Sequence, residues 1–335
     1  MWRWWLLVNK FVLQWHISEA CNLKCLHCYQ ENHTPVQLEY DKLMIILNQY
    51  RNLLNKINMK GHINLTGGEP LCSKYFFDLL EEFYKDKDLY SFSILTNGTL
   101  LNEENVKKIA KYDPEYVQVS LEGGKEINDY IRGEGVYKKV AKATKLLHKN
   151  NIYNSISFTA TSINYKEFPK VVRFAEKNKV DNVWSDRFIP LGTEYDKEFQ
   201  MNKEQTQEYL EIMEKERTRL RNKKSKTRVA MYRALQFKKT FDIPYHCSAG
   251  DTLLTVMENG DLVPCRRMPI VVGNVLKEDM YELYKNNSVL KDLQKQEIPK
   301  ECKKCENSHT CRGGLKCLTY AVTGKYNNKD VGCDF

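Results

Sequence analysis

The sequence predicts an α/β protein in which six β-α repeats build a parallel sheet, followed by a small cysteine-rich region carrying a β-hairpin. Three observations predict it. Between residues 11 and 188, short apolar runs alternate with amphipathic helical segments, the pattern of βαβ units. Glycines and polar residues gather where these runs end, at Thr66-Gly67-Gly68, Thr96-Asn97-Gly98 and Glu122-Gly123-Gly124, which is the edge where such sheets carry their sites. All eleven cysteines lie outside residues 73–246, so sulfur is concentrated before and after the repeats.

Each element has its own signal. Phe11 to His16 reads as a buried strand. A first helix follows, with Leu43, Ile46, Leu47, Tyr50 and Leu54 on one face at helical spacing. His62-Ile63-Asn64-Leu65 is a short strand, Phe76 to Tyr84 a helix, and Ser91 to Leu95 a strand. Asn102 is placed to cap the next helix, with Glu103 and Glu104 in its first turn. Val117, Val119 and Leu121 alternate as a strand, and Val136, Val140, Ala143 and Leu147 stripe a helix. Ser155 to Thr161, Lys166 to Lys177 and Val180 to Phe188 complete the series as strand, helix and strand. Lys203 to about Leu220 is helical, and a second helix is expected over roughly Val229 to Phe241, ahead of Pro244. Leu253 to Met257 and Leu262-Val263, joined by Glu258-Asn259-Gly260-Asp261, form a hairpin around an Asn-Gly turn. The expected division is 1–200, a basic helical linker at 201–243, and a cysteine-rich domain at 244–335.

Composition narrows the class. The chain has 335 residues, 42% hydrophobic and 28% charged, with a net charge of +9. That is an ordinary globular composition. Mean hydropathy is −0.59, and no long uncharged apolar run suggests a membrane span. The apolar start Met1-Trp2-Arg3-Trp4-Trp5-Leu6-Leu7-Val8 is too short for a signal segment. Without an export signal, eleven cysteines point to thiolate ligands or redox chemistry in a reducing compartment, hence a cytoplasmic protein. A disulfide framework would spread its bridges over the fold. Cysteines two to five residues apart suit chelation, because one loop brings several sulfurs around one ion or cluster.

The first group, Cys21, Cys25 and Cys28, has C-x3-C-x2-C spacing in His16-Ile17-Ser18-Glu19-Ala20-Cys21-Asn22-Leu23-Lys24-Cys25-Leu26-His27-Cys28-Tyr29. Three thiolates leave one iron of a 4Fe–4S cluster free to bind a small chelate. Zinc would need a fourth ligand, for which His16, His27 or His33 is available. With Gly67-Gly68-Glu69-Pro70 at the end of the second strand, the segment resembles the radical S-adenosylmethionine (radical SAM) superfamily over residues 11 to about 192. The resemblance implies a partial (β/α)6 barrel of the TIM type. It also implies that the amino and carboxylate groups of SAM chelate the open iron, and that reductive cleavage of SAM yields a 5′-deoxyadenosyl radical. Gly67 and Gly68 would let backbone approach the ligand, and Glu69 would accept from the SAM ammonium. Asn97 and Ser120 match positions facing the ribose or methionyl group. Glu122 stands where many relatives have Asp. Arg132 is expected to pair with the SAM carboxylate, the alternative being an exposed loop arginine. Asp186-Arg187 and Pro190-Leu191-Gly192 would flank the adenine, mostly through backbone.

The second group reads Cys247, x17, Cys265, a long gap, then C-x2-C-x5-C-x5-C and a final Cys333. Gly260 lies five positions before Cys265. This is similar to the SPASM extension of radical SAM enzymes, which carries two auxiliary 4Fe–4S clusters, although the family run usually closes with C-x3-C. By resemblance Cys247, Cys265 and Cys317 hold auxiliary cluster I, one ligand short, and Cys302, Cys305, Cys311 and Cys333 hold auxiliary cluster II. Three 4Fe–4S clusters and SAM are the implied cofactors. A zinc ribbon is the alternative for the C-x2-C pair. Cys72 is left over, either a core thiol or a hydrogen-atom donor or additional ligand.

The resemblance implies a peptide-modifying oxidoreductase that matures a ribosomal peptide. Thioether formation at a substrate cysteine is the leading expectation, because an open auxiliary iron would take the thiolate and an electron. Epimerisation with Cys72 as donor, and carbon–carbon crosslinking, are alternatives in the same class. A small-molecule radical oxidoreductase and a non-catalytic iron–sulfur or zinc protein are alternatives outside it. Sulfatase-type maturases carry an Asp after the cysteine matching Cys265, whereas Arg266-Arg267 follow here. With about ten residues ahead of the first strand, leader binding would fall to a separate protein or to other surface. The seven basic residues from Arg217 to Arg228 are a candidate for an acidic leader; a solvated helix end is the alternative. An electron donor such as flavodoxin or ferredoxin is implied, and no nucleic-acid or membrane partner is expected.

Overall fold

A computed structural model describes residues 10–30, 33–34, 37–191, 196–240 and 245–334. The apolar start at Met1–Val8, Gly192, Phe241 and Pro244 lie outside the described residues. Strands β1 (Lys10–His16), β2 (Lys60–Thr66), β3 (Tyr90–Thr96), β4 (Val117–Ser120), β5 (Asn154–Ala160) and β6 (Asn182–Arg187) lie side by side in chain order, all parallel. Helices α1 (Tyr40–Ile57), α2 (Phe76–Lys85), α3 (Glu103–Ala110), α4 (Lys125–Arg132), α5 (Val136–Lys149) and α6 (Phe168–Lys177) fall between them. This is the alternation read from the sequence. The apolar stripe of α1 is buried at Leu43, Ile46, Leu47, Tyr50 and Leu54. Asn102 caps α3 by accepting the Asn105 N–H at 2.8 Å, which supplies one of the acceptors a helix start lacks.

Two features differ from expectation. After α7 (Asp196–Phe199) and α8 (Lys203–Asn222), the chain forms a seventh parallel strand, β7 (Arg228–Ala230), at the start of the stretch where a second helix was expected over roughly Val229 to Phe241; helix appears there only as α9 (Phe237–Thr240). Its pairing with Asn182–Trp184 covers the outer edge of β6, and Val229 and Met231 are buried. Edge pairing overrides helical propensity in this short run. The second feature is at the opposite edge. The hairpin strands β8 (Leu253–Val256) and β9 (Asp261–Val263) are antiparallel as predicted, with Gly260 at φ +88° in the turn. Yet β8 also pairs in parallel with β1, Val12 opposite Leu253. With β10 (Gly273–Asn274), the cysteine-rich region extends the barrel sheet to ten strands, in the order β10-β9-β8-β1-β2-β3-β4-β5-β6-β7. Among the described residues the sheet does not close, so the barrel is partial. Among the described residues, no helix is long and apolar enough to cross a membrane.

Candidate active site at the carboxyl edge of the sheet

The Cys21–Cys28 loop leaves β1 and is fastened to the turn after β2. The Gly68 N–H donates to the Ser18 carbonyl at 2.7 Å, and the Glu69 N–H donates to the Ala20 carbonyl at 2.8 Å. A Cβ on Gly67 would lie 2.6 Å from the Ser18 carbonyl oxygen, and one on Gly68 would lie 2.6 Å from that of Ala20. Real side chains do not approach backbone so closely. The two glycines are therefore required by the contact between these loops, a role that the ligand-centred expectation did not contain. Cys21, Cys25 and Cys28 are partly buried and within electrostatic reach of one another. Burial pushes the Cys21 thiol up to about 11, and a bound cation or cluster would compensate the charge on the thiolates.

Glu69 lies under this loop with no solvent exposure. Its Oε1 accepts from Thr96 Oγ1 at 2.7 Å and from the Leu71 N–H at 3.2 Å, and its Oε2 accepts from the Asn97 N–H at 2.7 Å. Burial nevertheless pushes its carboxyl up to about 7. It is a buried carboxylate with acceptor capacity to spare on Oε2 and no ion-pair partner among the described residues. Asn97 also reaches the cysteine loop: its Nδ2 donates to Asn22 Oδ1 at 3.0 Å and points at Cys21 Sγ at 3.9 Å. Ser120 ends β4, half-buried and in register with Ser157.

Arg132 is 8% exposed, which excludes the exposed-loop reading. Its Nη2 and Nε donate to Glu122 Oε1 at 2.6 and 3.2 Å, and its Nη1 points at Cys25 Sγ at 3.7 Å. His27 Nε2 lies 3.3 Å from the same Glu122 oxygen, and Glu122 Oε2 accepts the Thr159 N–H at 2.8 Å. Burial opposes ionisation of Glu122, but Arg132 and His27 outweigh it and hold the carboxyl down at about 2. Glu122 and Arg132 thus form one buried pair that anchors the cysteine loop to the ends of β4 and β5. The sequence placed both residues near SAM; it gave no sign that they pair. Cys72 is half-buried directly after the Glu69 turn, its N–H donating to the Glu69 carbonyl, and the Asn22 N–H faces its sulfur.

The C-terminal cysteines form two sets. Cys247, Cys265 and Cys317 lie within electrostatic reach of one another, with Arg267 near Cys265 and Cys317 and with Lys316 and Arg233 near Cys247. Cys302, Cys305, Cys311 and Cys333 line one partly open pocket with Gly313 and Asp330. Gly313 and Gly314 both have left-handed backbone, at φ +88° and +82°, the tight turn expected between Cys311 and Cys317. Among the described residues, no three His, Cys, Asp or Glu side chains converge closely enough to hold a single metal ion. The four thiols instead surround a space, which fits a cluster.

Sequence reasoning missed the clamps that hold these sets to the barrel. Asp186 and Arg187, expected to act through backbone, are engaged by their side chains. Arg187 makes a bidentate pair with buried Asp330 at 2.7 and 2.6 Å. Asp330 also accepts the Leu315 N–H at 2.8 Å and the Gly332 N–H at 2.9 Å, so it orders the approaches to both Cys317 and Cys333. Asp186 Oδ2 accepts from Arg233 and Arg267, each at 3.0 Å. No spacing rule joins residues this far apart. The basic run also differs from a free anion surface: Arg217 pairs with Glu214, Arg219 with Glu176 and Glu216, and Lys223 with Glu176.

The comparisons agree with this geometry. Residues 15–175 match the radical SAM superfamily model, and residues 247–306 match the SPASM iron–sulfur cluster-binding domain. The chain is 24% identical to an AdoMet-dependent heme synthase of Methanosarcina barkeri, covering 96% of this chain and 95% of that protein. It is 22% identical to the mycofactocin maturase MftC of Mycobacterium tuberculosis, covering 96% and 82%. Among solved structures, Streptococcus suis SuiB bound to its precursor peptide SuiA superposes with a TM-score of 0.77 at 18% identity, covering 98% of this chain and 76% of that one. Two family domains in the right order, on a parallel sheet, make this chain a radical SAM enzyme of the SPASM subgroup, dependent on SAM and iron–sulfur clusters.

Proposed function

We propose that this enzyme matures a peptide by joining a cysteine sulfur of the substrate to carbon. The observation that carries the proposal is the three-thiol set of Cys247, Cys265 and Cys317 with Arg267 beside it. Three protein thiolates leave one iron of a cubane cluster open, and the cationic flank favours an anionic ligand such as a substrate thiolate. In this reading Cys21, Cys25 and Cys28 hold the SAM cluster. Cys302, Cys305, Cys311 and Cys333 hold a fully ligated one, for three clusters in all. A reduced cluster held by Cys21, Cys25 and Cys28, with SAM bound, would supply the carbon-radical chemistry that removes a substrate hydrogen. Glu69 accepts from the SAM ammonium, which provides the cation its buried carboxylate lacks, with Asn97, Ser120 and Arg132 around the same ligand. Forming the C–S bond removes one hydrogen from carbon and one from sulfur. The first would be taken up by the 5′-deoxyadenosyl group that bound SAM supplies, and the second would leave as a proton, with the remaining electron accepted by a cluster held by Cys247, Cys265 and Cys317.

The peptide-bound likeness supports a peptide substrate. A second reading, small-molecule oxidation, is favoured by the end-to-end match to the heme synthase. Mass spectrometry of a cysteine-containing candidate precursor peptide, co-expressed with the enzyme, separates them. Thioether formation lowers the peptide mass by about 2 Da per bond and consumes the thiol. Unchanged mass with deuterium uptake in D2O, abolished by Cys72→Ala, would instead establish epimerisation. An untouched peptide would remove the peptide reading.

A further inference from the structure

The residues Cys265-Arg266-Arg267 span the mouth of the barrel. Arg266 lies over the Tyr29 ring at 4.4 Å, and its Nη2 donates to the Tyr29 carbonyl at 3.3 Å, directly after Cys28. Arg267 turns the other way, to Asp186 at the end of β6. There it meets Arg233, whose guanidinium sits 5.8 Å from the Trp184 ring and 6.0 Å from the Tyr245 ring. Trp184 is fixed by donating to Gln118 on β4. Arg267 therefore stands between Tyr29, which follows the Cys21–Cys28 loop, and the thiols of Cys265 and Cys317, with Arg233 beside it on Asp186 at the end of β6.

Their charge is not balanced locally. Asp186 is one carboxylate for two guanidiniums, and the next arginine, Arg187, is already matched by Asp330. Of the five N–H groups each guanidinium carries, Arg267 directs one and Arg233 two at Asp186. No other acceptor for either is found among the described residues. Their side chains are 22% and 28% exposed, so both remain accessible. A planar fork with free donors, aromatic walls and surplus positive charge is the arrangement that recognises a carboxylate.

We propose that Arg233 and Arg267, held together on Asp186 beside the Cys247, Cys265 and Cys317 thiols, form a subsite for a carboxylate of the substrate. The proposal rests on the reading that substrate is processed between the SAM-cluster loop and those thiols, and it adds that the substrate carries an acidic side chain or a free C-terminus near the reacting atoms. The competing role is charge compensation alone, since Arg267 lies close to Cys265 and Cys317.

Calorimetry on the reconstituted, SAM-loaded enzyme tests it, with N-acetyl-L-glutamate as probe and N-acetyl-L-glutamine as its uncharged control. The acid is expected to bind at least about tenfold more tightly than the amide, and Arg233→Gln and Arg267→Gln should each remove about tenfold of that preference, with Arg267→Lys restoring part of it. Equal binding of the two probes overturns the proposal. So does an Arg267→Gln enzyme that shifts the auxiliary-cluster potential while keeping the preference, because charge compensation is then the whole role. If Arg267→Gln also loses iron, Arg233→Gln at full iron content decides: lost preference supports the subsite, retained preference overturns it. Acid preference without modification of the candidate peptide removes the peptide reading and leaves the subsite. A peptide modified equally well after its Asp and Glu residues become amides and its C-terminus is amidated removes the subsite alone; loss only on C-terminal amidation assigns the carboxylate to the chain end.

Discussion

The Cys21–Cys28 loop and the C-terminal cysteines both gather sulfur, but different forces fasten them to the sheet. The first is a single loop of eight residues, stitched by backbone hydrogen bonds from Gly68 and Glu69 and steadied by the Arg132–Glu122 pair. The second draws on seven cysteines spread from Cys247 to Cys333 and is held through space by Arg187–Asp330 and by Arg267 and Arg233 on Asp186. Ligands that are neighbours in the chain need only a shaped backbone. Ligands far apart need a separate clamp, and buried charge supplies a directional one.

Removing Cys21, Cys25 and Cys28 together, each to Ala, is expected to have the largest effect. SAM cleavage disappears, while only about a third of the iron is lost if three clusters are present. Iron and sulfide analysis with an assay for 5′-deoxyadenosine checks both. Loss of all iron would mean that the two regions assemble as one.

Arg187→Leu strikes the other clamp. It leaves Asp330 buried without its partner, a change costing about 3–5 kcal/mol. The C-terminal iron should fall while the SAM-cluster signal persists in electron paramagnetic resonance. Even loss across both regions would show that the clamp serves the whole fold.

Gly68→Ala tests the backbone stitch. Its methyl group would press on the Glu19 and Ala20 carbonyls, and relief by backbone shift costs about 1–3 kcal/mol. SAM-cluster occupancy should drop with the C-terminal iron intact, the mirror image of Arg187→Leu.

The smallest effect is a pH dependence confined to the first region. Glu69 titrates at about 7 in the ligand-free chain. Its ionised form, present above that value, is the one that accepts from an ammonium. SAM affinity should therefore weaken by about tenfold between pH 8 and pH 6. The sign reverses for the ligand-free fold, which gains stability as pH falls from 7 towards the ordinary carboxylate value because the buried carboxyl becomes neutral. Glu69→Gln should flatten the SAM profile, and an unchanged slope would remove Glu69 from the ammonium.

The same contrast explains what was legible in the sequence. Period-2 and period-3.6 patterns gave the six parallel strands and their helices, because each element buries one face. The cysteine groups stood out through short spacing. Strand β7 was hidden because three residues, Arg228-Val229-Ala230, carry no periodicity and gain their structure from the edge of β6. The Arg187–Asp330 pair joins residues 143 positions apart, so no local rule finds it. Gly67 and Gly68 were recognised as special, but the atoms that forbid a side chain there belong to Ser18, Glu19 and Ala20. That contact exists only once two loops have met.

The pairing of β8 with β1 bears on the order in which this protein is born. Val12 finds its neighbour Leu253 only after roughly 240 further residues have been made, which at about 5–20 residues per second is about 12–48 s of synthesis. Throughout that interval one flank of the first strand, bearing Phe11, Leu13 and Trp15, has no partner from the chain's last quarter. An unpaired apolar strand is a template for aggregation. The hairpin that carries the chain towards Cys265 is thus also the seal that ends this exposure, tying the covering of β1 to the start of the cysteine-rich region.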